Sequence, residues 1–407
     1  MRSWVRWPAA CCLRWPAQTT ATPDKAPAPA KPAVDVAPAA PLAFTSAPVV
    51  TNVSDDAATI LIGVNGPSAI TVRYGETDAL GLEAHGSRHG LNSFDAKVHK
   101  VRLTGLKPGV AYHYRVEAQA VNFKNAYRIE RGDVIAADAA SFKTLNSRAD
   151  AIRFVVWNDT HDRADTLAAF HEQTDKLRPD FMLWNGDVSN DISREEQFTS
   201  LFLSPGKGLP YAARTPLMLV RGNHDMRGAA ARMIGRYTDA PEGRSYYSFR
   251  HGPVAFLVLD TGEDKPDEHP VYAGLNDFCA FRHAQAEWLA REIEKPELKS
   301  APHKVLFCHI PLAWIKPTAA GDWCADAKAK WHDLLVKAGV TLVMSGHTHQ
   351  HAHLPPVEGR PYHQLVGGGP NLKDATIIEG SADAKTLTVT MKKLADGTEL
   401  AKIALTA

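Results

Sequence analysis

The hydrophobic pattern of the chain changes after residue 146. Within residues 42–145, short segments alternate apolar and polar positions, namely ATILIGV, AITVRYGE, AKVHKVRL and YHYRVEAQAV. This period of two predicts half-buried β-strands. Beyond it, apolar runs (IRFVVW, FMLWNG, PLMLVRG, VAFLVLD, KVLFCH and TLVMSG) alternate with helical stretches, the clearest being Ala164–Leu177, His283–Glu294 and Ala325–Ala338. Continuous apolar strands separated by helices predict a layered α/β domain.

Both ends of the chain have patterns of their own. The segments ATIIEG, KTLTVTMKKL and TELAKIAL predict terminal strands, and an Asp-Gly turn at 396–397 indicates a hairpin. At the start, MRSWVRWPAACCLRW places basic residues before a short, interrupted apolar patch, which resembles a secretory signal. Sixteen of the 26 residues in 16–41 are Ala or Pro, a composition typical of a semi-rigid linker. We therefore expect residues 1–41 to be a signal-like segment and linker of a periplasmic or secreted protein, the alternative being the cytoplasm.

Composition and charge exclude several classes of function. The 407 residues predict two or three domains. With 46 Lys and Arg against 45 Asp and Glu, the net charge of +1 indicates no nucleic-acid-binding surface. No run approaches the roughly 18 apolar residues of a membrane-spanning helix, so we expect a soluble body without a transmembrane segment. Cys279 and Cys324 could pair in an oxidising compartment, or these two and Cys308 are unrelated free thiols. The sequence carries no prediction of the oligomeric state.

A turn in the N-terminal part has a distinctive tyrosine. In LTGLKPGVAYHYRV, a Pro-Gly turn at 108–109 is followed by Tyr112. A tyrosine so placed resembles the tyrosine corner of β-sandwiches, whose hydroxyl reaches back to nearby backbone. Residues 42–146 therefore resemble a fibronectin type III domain, an all-β sandwich. We expect its role to be structural or positional, because nothing in it groups titratable residues.

Polar residues terminate five of the later apolar runs. FVVW ends in Asn-Asp159-Thr-His161, FMLWN in Gly-Asp187, LMLVR in Gly-Asn223-His224-Asp225, VLFC in His309, and LVMS in Gly-His347-Thr-His349. Open α/β sheets build their sites at the carboxyl ends of strands. Imidazole and carboxylate ligands without thiolate suit Mn, Fe or Zn, and seven ligands are too many for one ion. Because an aspartate can bridge two ions, the pattern predicts a two-metal site.

Glycines and further histidines surround these positions. Gly186, Gly222 and Gly346 each precede a predicted ligand at a sharp strand end, where a side chain would crowd the backbone or the ions. His351 and His353 continue the last run of histidines. We interpret these two as surface histidines, with contact to substrate as the alternative.

Taken together, segments 159–161, 186–187, 222–225, 309 and 346–349 resemble the five signature blocks of the calcineurin-like metallophosphoesterase superfamily. The resemblance spans roughly residues 152–356, and a fibronectin-like domain ahead of it is similar to the domain order of purple acid phosphatases. By position, it implies one ion bound by Asp159, His161 and His349, a second bound by Asn223, His309 and His347, and Asp187 bridging both. It places His224 near the leaving-group oxygen, with Asp225 orienting that imidazole.

The fold expected from these observations is multidomain. A fibronectin III-like sandwich at 42–146 precedes a metallophosphoesterase domain at 150–407, whose core is a two-sheet β-sandwich flanked by helices. One departure is informative: Asn190 stands where purple acid phosphatases have a tyrosine that binds iron(III), and His161 stands where they have a non-ligand. We therefore expect a colourless enzyme that uses two divalent ions, Mn, Fe or Zn.

The expected function is hydrolysis of a small-molecule phosphate ester, most simply a monoester. A hydroxide bridging the ions would attack phosphorus in line, and His224 would protonate the leaving oxygen or stabilise its charge. A phosphodiesterase for nucleotide or lipid head-group diesters needs the same ligands. A phospho-ligand-binding or scaffold protein is disfavoured because every expected ligand is intact. We expect two loops, Gly262–Arg282 and Pro311–Asp326, to wall the site and select the substrate.

Overall fold

The computed structural model describes residues 40–94, 97–314 and 325–407, and residues 42–407 form one compact unit. The predicted signal-like segment and nearly all of the predicted linker lie outside the described residues. Cys324 lies outside them too, so its pairing with Cys279 stays a prediction. In the described ranges, no helix is both long enough and apolar enough to span a membrane.

The predicted N-terminal strands are all present. The strands of this part are β1 (Val49–Thr51), β2 (Ala57–Gly63), β3 (Ser68–Gly75), β4 (Leu82–His85), β5 (Ser87–Arg88), β6 (Leu91–Asn92), β7 (Val98–Thr104), β8 (Ala111–Asn125), β9 (Arg128–Ala136) and β10 (Ala140–Lys143). Strands β10, β8, β3 and β4 are neighbours in one sheet, with β9 paired to β8. The backbone N–H of Lys107 donates to the hydroxyl of Tyr112 at 3.0 Å, as predicted for a tyrosine corner. The likeness of this part to fibronectin type III stays a prediction.

Each predicted apolar run and helical stretch of the later part forms a strand or helix, and several short elements come in addition. The strands are β11 (Ala151–Trp157), β12 (Phe181–Asn185), β13 (Leu217–Val220), β14 (Tyr247–His251), β15 (Val254–Val258), β16 (His303–Phe307), β17 (Leu342–Ser345), β18 (Ala352–Leu354), β19 (His363–Val366), β20 (Thr376–Asp383), β21 (Thr386–Lys393) and β22 (Glu399–Thr406). The helices are α1 (Ala164–Leu177), α2 (Pro205–Gly208), α3 (Ile234–Tyr237), α4 (Phe278–Glu292), α5 (Pro296–Lys299) and α6 (Ala325–Ala338). Bounds for α1 and α6 are the predicted ones.

Helix α4 begins five residues earlier than the pattern predicts. The carboxylate of Asp267 accepts hydrogen bonds from the backbone N–H groups of Phe278 and Cys279, at 2.9 and 2.8 Å. These bonds satisfy two of the donors that the first turn of a helix leaves free. Because this acceptor lies 11 residues upstream, the local hydrophobic period gives no sign of it.

Two large sheets form the body of the fold. The first has nine strands in the order β22-β21-β20-β11-β12-β13-β1-β2-β7, and the second has six in the order β14-β15-β16-β17-β19-β18. The first sheet crosses the predicted domain boundary, because Thr51 of β1 pairs in parallel with Leu217 of β13. The prediction that residues 42–146 form a separate domain stays a prediction.

The central strands, such as β12, β15 and β17, are buried on both faces, which explains their continuous apolar runs. Phe154 of β11 points into the space between the sheets, where its ring meets that of Phe256 edge to face at 5.4 Å. The next residue, Val155, points to the other face and packs in the cluster that contains Phe170 of α1. On the far side of the second sheet, Leu257 packs with residues of α4 and α6. The layers are therefore helix, sheet, sheet and helices, as the predicted two-sheet core requires.

Candidate metal centre

Five strand ends bring the predicted ligands together. Strands β11, β12 and β13 of the first sheet and β16 and β17 of the second end at one edge of the two-sheet core. Two groups of donor atoms form there, each within 4.8 Å: Asp159, His161, Asp187 and His349, and Asp187, His309 and His347. Asp187 belongs to both groups. The seventh predicted ligand, Asn223, has its Oδ1 2.9 Å from Nδ1 of His347.

The backbone turns sharply where these side chains leave the strands. Five of the seven residues have a left-handed backbone with φ between 43° and 71°, namely Asp159, His161, Asp187, His347 and His349. In residues other than glycine, such conformations cost of the order of 1–3 kcal/mol each and cluster at functional sites. The glycines give room for these turns: a Cβ at Gly186 would overlap the ring of His309, and one at Gly346 would overlap the carboxylate of Asp159.

One half of the centre is built around a pair of imidazoles. Nε2 of His161 lies 2.9 Å from Nε2 of His349 and 3.5 Å from Oδ2 of Asp187. On the other side of the ring, Nδ1 of His161 lies 2.9 Å from Oδ1 of Asn190, an oxygen that accepts a hydrogen bond. The Nδ1 therefore carries the proton and Nε2 is left as the ligand atom, as in metal-binding histidines generally.

The other half contains two buried polar atoms that need a partner. Nδ1 of His309 donates to the backbone oxygen of Asn185 at 2.8 Å, which directs Nε2 to within 3.2 Å of Oδ2 of Asp187. These two atoms face each other as an ion pair, and among the residues that the structure describes neither has a hydrogen bond to any other group. Buried polar atoms are almost always satisfied, so a cation between these atoms fits the site. A donor set of nitrogen and oxygen without sulfur fits Mn, Fe or Zn.

Burial sets the protonation of the ligands before any ion binds. It lowers the pKa of His161 to about 4 and that of His347 to about 3, so both imidazoles are neutral at pH 7. Burial, with the charge of Asp187, raises the pKa of Asp159 to about 8. Burial disfavours the charged forms of Asp187 and His309. Their mutual attraction outweighs burial, so it lowers the pKa of Asp187 and raises the pKa of His309 to about 10. The ion-free pocket therefore carries a buried ion pair.

The structure corrects the predicted role of Asp225. Its fully buried carboxylate accepts from the backbone N–H of Gly222 at 2.9 Å and of Ser189 at 3.2 Å, and not from His224. Residues His224–Met226 form one 3₁₀ turn, in which neighbouring side chains lie about 120° apart. The prediction that Asp225 orients His224 is therefore wrong. Asp225 instead joins the two loops that carry Asp187 and Asn223.

His224 has two other partners. Its Nδ1 lies 2.8 Å from the backbone oxygen of Asn190, and its Nε2 lies 3.0 Å from Nη1 of Arg227. The carbonyl oxygen of Asn190 accepts, so Nδ1 carries a proton. Nη1 also lies 3.5 Å from Nδ1, so the guanidinium lies over the face of the imidazole and not along the Nε2 lone pair. Sequence reasoning missed Arg227 altogether and noticed Asn190 only as a replaced tyrosine.

The first predicted wall loop lies beside His224. Lys265 and Tyr272 line a cavity of about 480 Å³ that also includes Met226 and Arg227. Arg282, the last residue of this loop, is buried, and it donates to the backbone oxygens of Thr261 and Glu263 at 2.7 Å. Arg282 therefore stabilises the loop from its buried side.

The remaining predicted surroundings divide between described and undescribed residues. Residues 315–324 of the second wall loop lie outside the described ranges, so its role stays a prediction. His351 and His353 are exposed, as predicted, and Nε2 of His353 contacts Nδ1 of His363 on the neighbouring strand at 2.9 Å. The Gly367–Gly369 turn does pass close to a ligand, because a Cβ at Gly369 would overlap Asp159.

Comparisons with known proteins agree with this centre. Residues 152–351 match the family described as calcineurin-like phosphoesterase. The serine/threonine-protein phosphatase CPPED1 of Pongo abelii is 31% identical over 34% of this chain and 42% of its own length. Purple acid phosphatase 21 of Arabidopsis thaliana is 24% identical over 68% of this chain and 59% of its own length. The chain thus matches less than two thirds of the length of these relatives.

Solved structures with the same fold extend the likeness along the chain. Purple acid phosphatase PPD1 from yellow lupin (Lupinus luteus) superposes with a TM-score of 0.68 at 14% identity, over 88% of this chain and 74% of its own. PhoD superposes with a TM-score of 0.57 at 12% identity, over 89% of both chains. The fold is therefore a mixed α/β fold of several sheets, and residues 152–351 are the part of the chain that matches a calcineurin-like phosphoesterase.

Proposed function

We propose that this protein is a phosphoric ester hydrolase, specifically a phosphomonoesterase with two divalent ions. The observation that carries the proposal is the position of Asp187, whose carboxylate belongs to both groups of donor atoms. A carboxylate shared in this way suits two ions about 3.5–4 Å apart, the spacing of two-metal hydrolytic sites. The names of the phosphatase relatives support the same class of reaction.

Each side chain of the centre has a proposed task. Bound divalent ions supply Lewis acidity to phosphoryl oxygens and lower the pKa of the attacking water. Asp159, His161 and His349 would hold one ion, and Asn223, His309 and His347 the other, with Asp187 holding both. The oxygens of Asn190 and Asn185 fix the Nδ1 protons of His161 and His309, so that both Nε2 atoms face the ions.

We propose that His224 acts on the leaving-group side of the substrate. Nη1 of Arg227 lies 3.0 Å from Nε2 of His224, so a permanent positive charge lies beside this imidazole. The contacts therefore favour stabilisation of developing charge by this pair of residues over proton donation by His224 alone. His224→Ala should keep both ions while lowering turnover, and metal loss in that variant would make His224 a ligand.

The bridging role of Asp187 can be tested with two chromogenic esters. After loading with Mn²⁺, we expect p-nitrophenyl phosphate to be hydrolysed faster than bis-p-nitrophenyl phosphate. Asp187→Asn should lose bound metal and activity together, since it removes the charge that both ions share. The matched control is Asp191→Asn, which changes an exposed carboxylate four residues away and should keep two ions and full turnover.

Three other outcomes would change the proposal. Full activity with two ions in the Asp187→Asn variant would overturn the dinuclear assignment. Faster hydrolysis of the diester by the native chain would favour the phosphodiesterase for nucleotide or lipid head-group diesters. Two bound ions without hydrolysis of either ester would favour a phospho-ligand-binding protein.

We also propose that residues 42–146 are a fibronectin III-like module with a structural role, and that the protein is exported. The two-sheet arrangement of these strands and the Tyr112 hydroxyl contact support the first statement. The signal-like N-terminal segment supports the second. An intact N-terminus on protein recovered from a cytoplasmic fraction would contradict export.

A further inference from the structure

A cavity lies on the far side of Arg227 from His224. It has a volume of about 480 Å³, and its wall starts two residues after His224, at Met226 and Arg227. The opposite wall is the loop that carries Lys265, Tyr272 and Leu275. Cavities of this size hold organic ligands of drug-like dimensions. Its lining combines aliphatic, thioether and aromatic groups with a few charged side chains, a composition suited to a ring-bearing group attached to a phosphate.

Arg227 is held rigidly between this cavity and the centre. Its Nε and Nη2 donate to the two carboxylate oxygens of Glu263 at 3.1 and 2.9 Å, and Nη2 also donates to Asp264 at 3.1 Å. Only 3% of the Glu263 side chain and 16% of the Asp264 side chain are exposed. Bidentate pairing of this kind fixes the plane of a guanidinium as well as its charge.

The remaining nitrogen of the guanidinium, Nη1, lies against His224. Nη1 carries two N–H groups, and among the described residues its partner is the imidazole of His224. A purely structural arginine would be satisfied by its two carboxylates. Here Nη1 lies against the face of the His224 imidazole, which takes up neither of its N–H groups at a lone pair, and 28% of the Arg227 side chain is exposed. A permanent positive charge is thus preorganised where the centre meets the cavity.

We propose that Arg227 is a catalytic residue that binds the ester oxygen of the substrate, and that the cavity receives an aryl or similar ring-bearing alcohol. This proposal rests on the proposed function. As the bond from phosphorus to the attacking water oxygen forms, the bond to the ester oxygen breaks and its electron pair stays on that oxygen. The Arg227 guanidinium stabilises this negative charge, and the proton given up by the attacking water balances the released alcohol.

The dependence of rate on the leaving group tests this proposal. We would measure kcat/KM of the Mn²⁺-loaded enzyme for a series of aryl phosphates whose phenols differ in pKa. The native enzyme should show a shallow decrease of log kcat/KM with rising phenol pKa. Arg227→Gln should make the slope steeper, with a loss of about 10²–10³-fold for the most basic leaving group, the usual effect of removing one preorganised donor. Arg227→Lys, which retains a charge, should restore part of the loss.

A matched control separates this role from a structural one. Arg221 forms a similar pair with the buried carboxylate of Asp260 at 2.8 Å but does not line this cavity. Arg221→Gln should lower the melting temperature and leave the slope unchanged. If the plot of log kcat/KM against phenol pKa for Arg227→Gln ran parallel to the native plot, with all substrates slowed equally, the proposal would be overturned. The proposed phosphomonoesterase function would still stand. Absence of turnover in the native enzyme with two ions bound would overturn both.

Discussion

At the scale of single residues, the centre couples ion binding to proton release. The pKa of Asp159 is raised to about 8 by burial and by the charge of Asp187, and the pKa of His309 is raised to about 10 by Asp187. Both groups therefore hold a proton at pH 7 in the ion-free pocket. Each must lose that proton before its ligand atom binds a cation.

The first prediction concerns the pH dependence of metal affinity. Below pH 8, two protons compete with the ions, so the affinity for Mn²⁺ should rise by up to about two log units per pH unit. Between pH 8 and 10 only the proton on His309 competes, and the affinity should rise by about one log unit per pH unit. Isothermal titration at pH 7 in buffers of different ionisation enthalpy should show the release of up to two protons. Asp159→Asn should reduce this release by one. Affinity that stays constant between pH 6 and 8 would contradict the prediction.

How far the sequence predicts a residue depends on how local its role is. Asp187 and His309 lie 3.2 Å apart, as expected for residues that follow apolar runs whose strand ends meet at one edge, and their roles as ligands stay predictions. Arg227 carried no such signal, since its role arises from contacts with Glu263, 36 residues along the chain. Asp225 was misassigned because a one-residue step in a 3₁₀ turn changes the direction of the side chain, which spacing alone does not encode.

At the scale of elements, the tyrosine corner provides a test of local stability. The hydroxyl of Tyr112 accepts from the backbone N–H of Lys107, and Tyr112 itself is 3% exposed. Tyr112→Phe should remove the acceptor and lower the free energy of unfolding by about 1 kcal/mol, the net value of one hydrogen bond. The fully exposed Tyr127 offers the control, because Tyr127→Phe should leave the unfolding free energy unchanged. Both variants should retain native kcat/KM, as measured with p-nitrophenyl phosphate.

Elements were predicted best where their own residues determine them. Strands such as β11 and β12 are apolar throughout because both faces are covered, and helices α1 and α6 have a clear period and clear ends. Helix α4 begins earlier than predicted because Asp267 caps it from outside the helix. The order of the strands in a sheet is harder still to predict from the sequence. Strand β20 lies beside β11 with Val155 opposite Glu379, a pairing across more than 200 residues that no local pattern records.

At the scale of the whole molecule, three N-terminal strands extend the nine-stranded sheet beyond β13 of the later part. Thr51 pairs with Leu217, and the buried hydroxyl of Tyr114 donates to the backbone oxygen of Ala213 at 2.7 Å. The carboxylate of Asp239 accepts from the side chains of Thr59 and Asn52. These bonds connect backbone and side-chain groups from both sides of the predicted boundary near residue 146. They imply that the later part depends on the earlier one.

The last prediction therefore concerns a shortened chain. Deletion of residues 1–146 would expose one edge of β13 and leave the oxygen of Ala213 without its donor, and an uncovered edge strand promotes association. We expect residues 147–407 to elute as aggregates in size-exclusion chromatography and to melt well below the native chain. Deletion of residues 1–40, which leaves the compact unit intact, is the control and should change neither property. If residues 147–407 were instead monomeric, with native melting temperature and turnover, the two parts would be independent domains and the continuous nine-stranded sheet would be a contact between them.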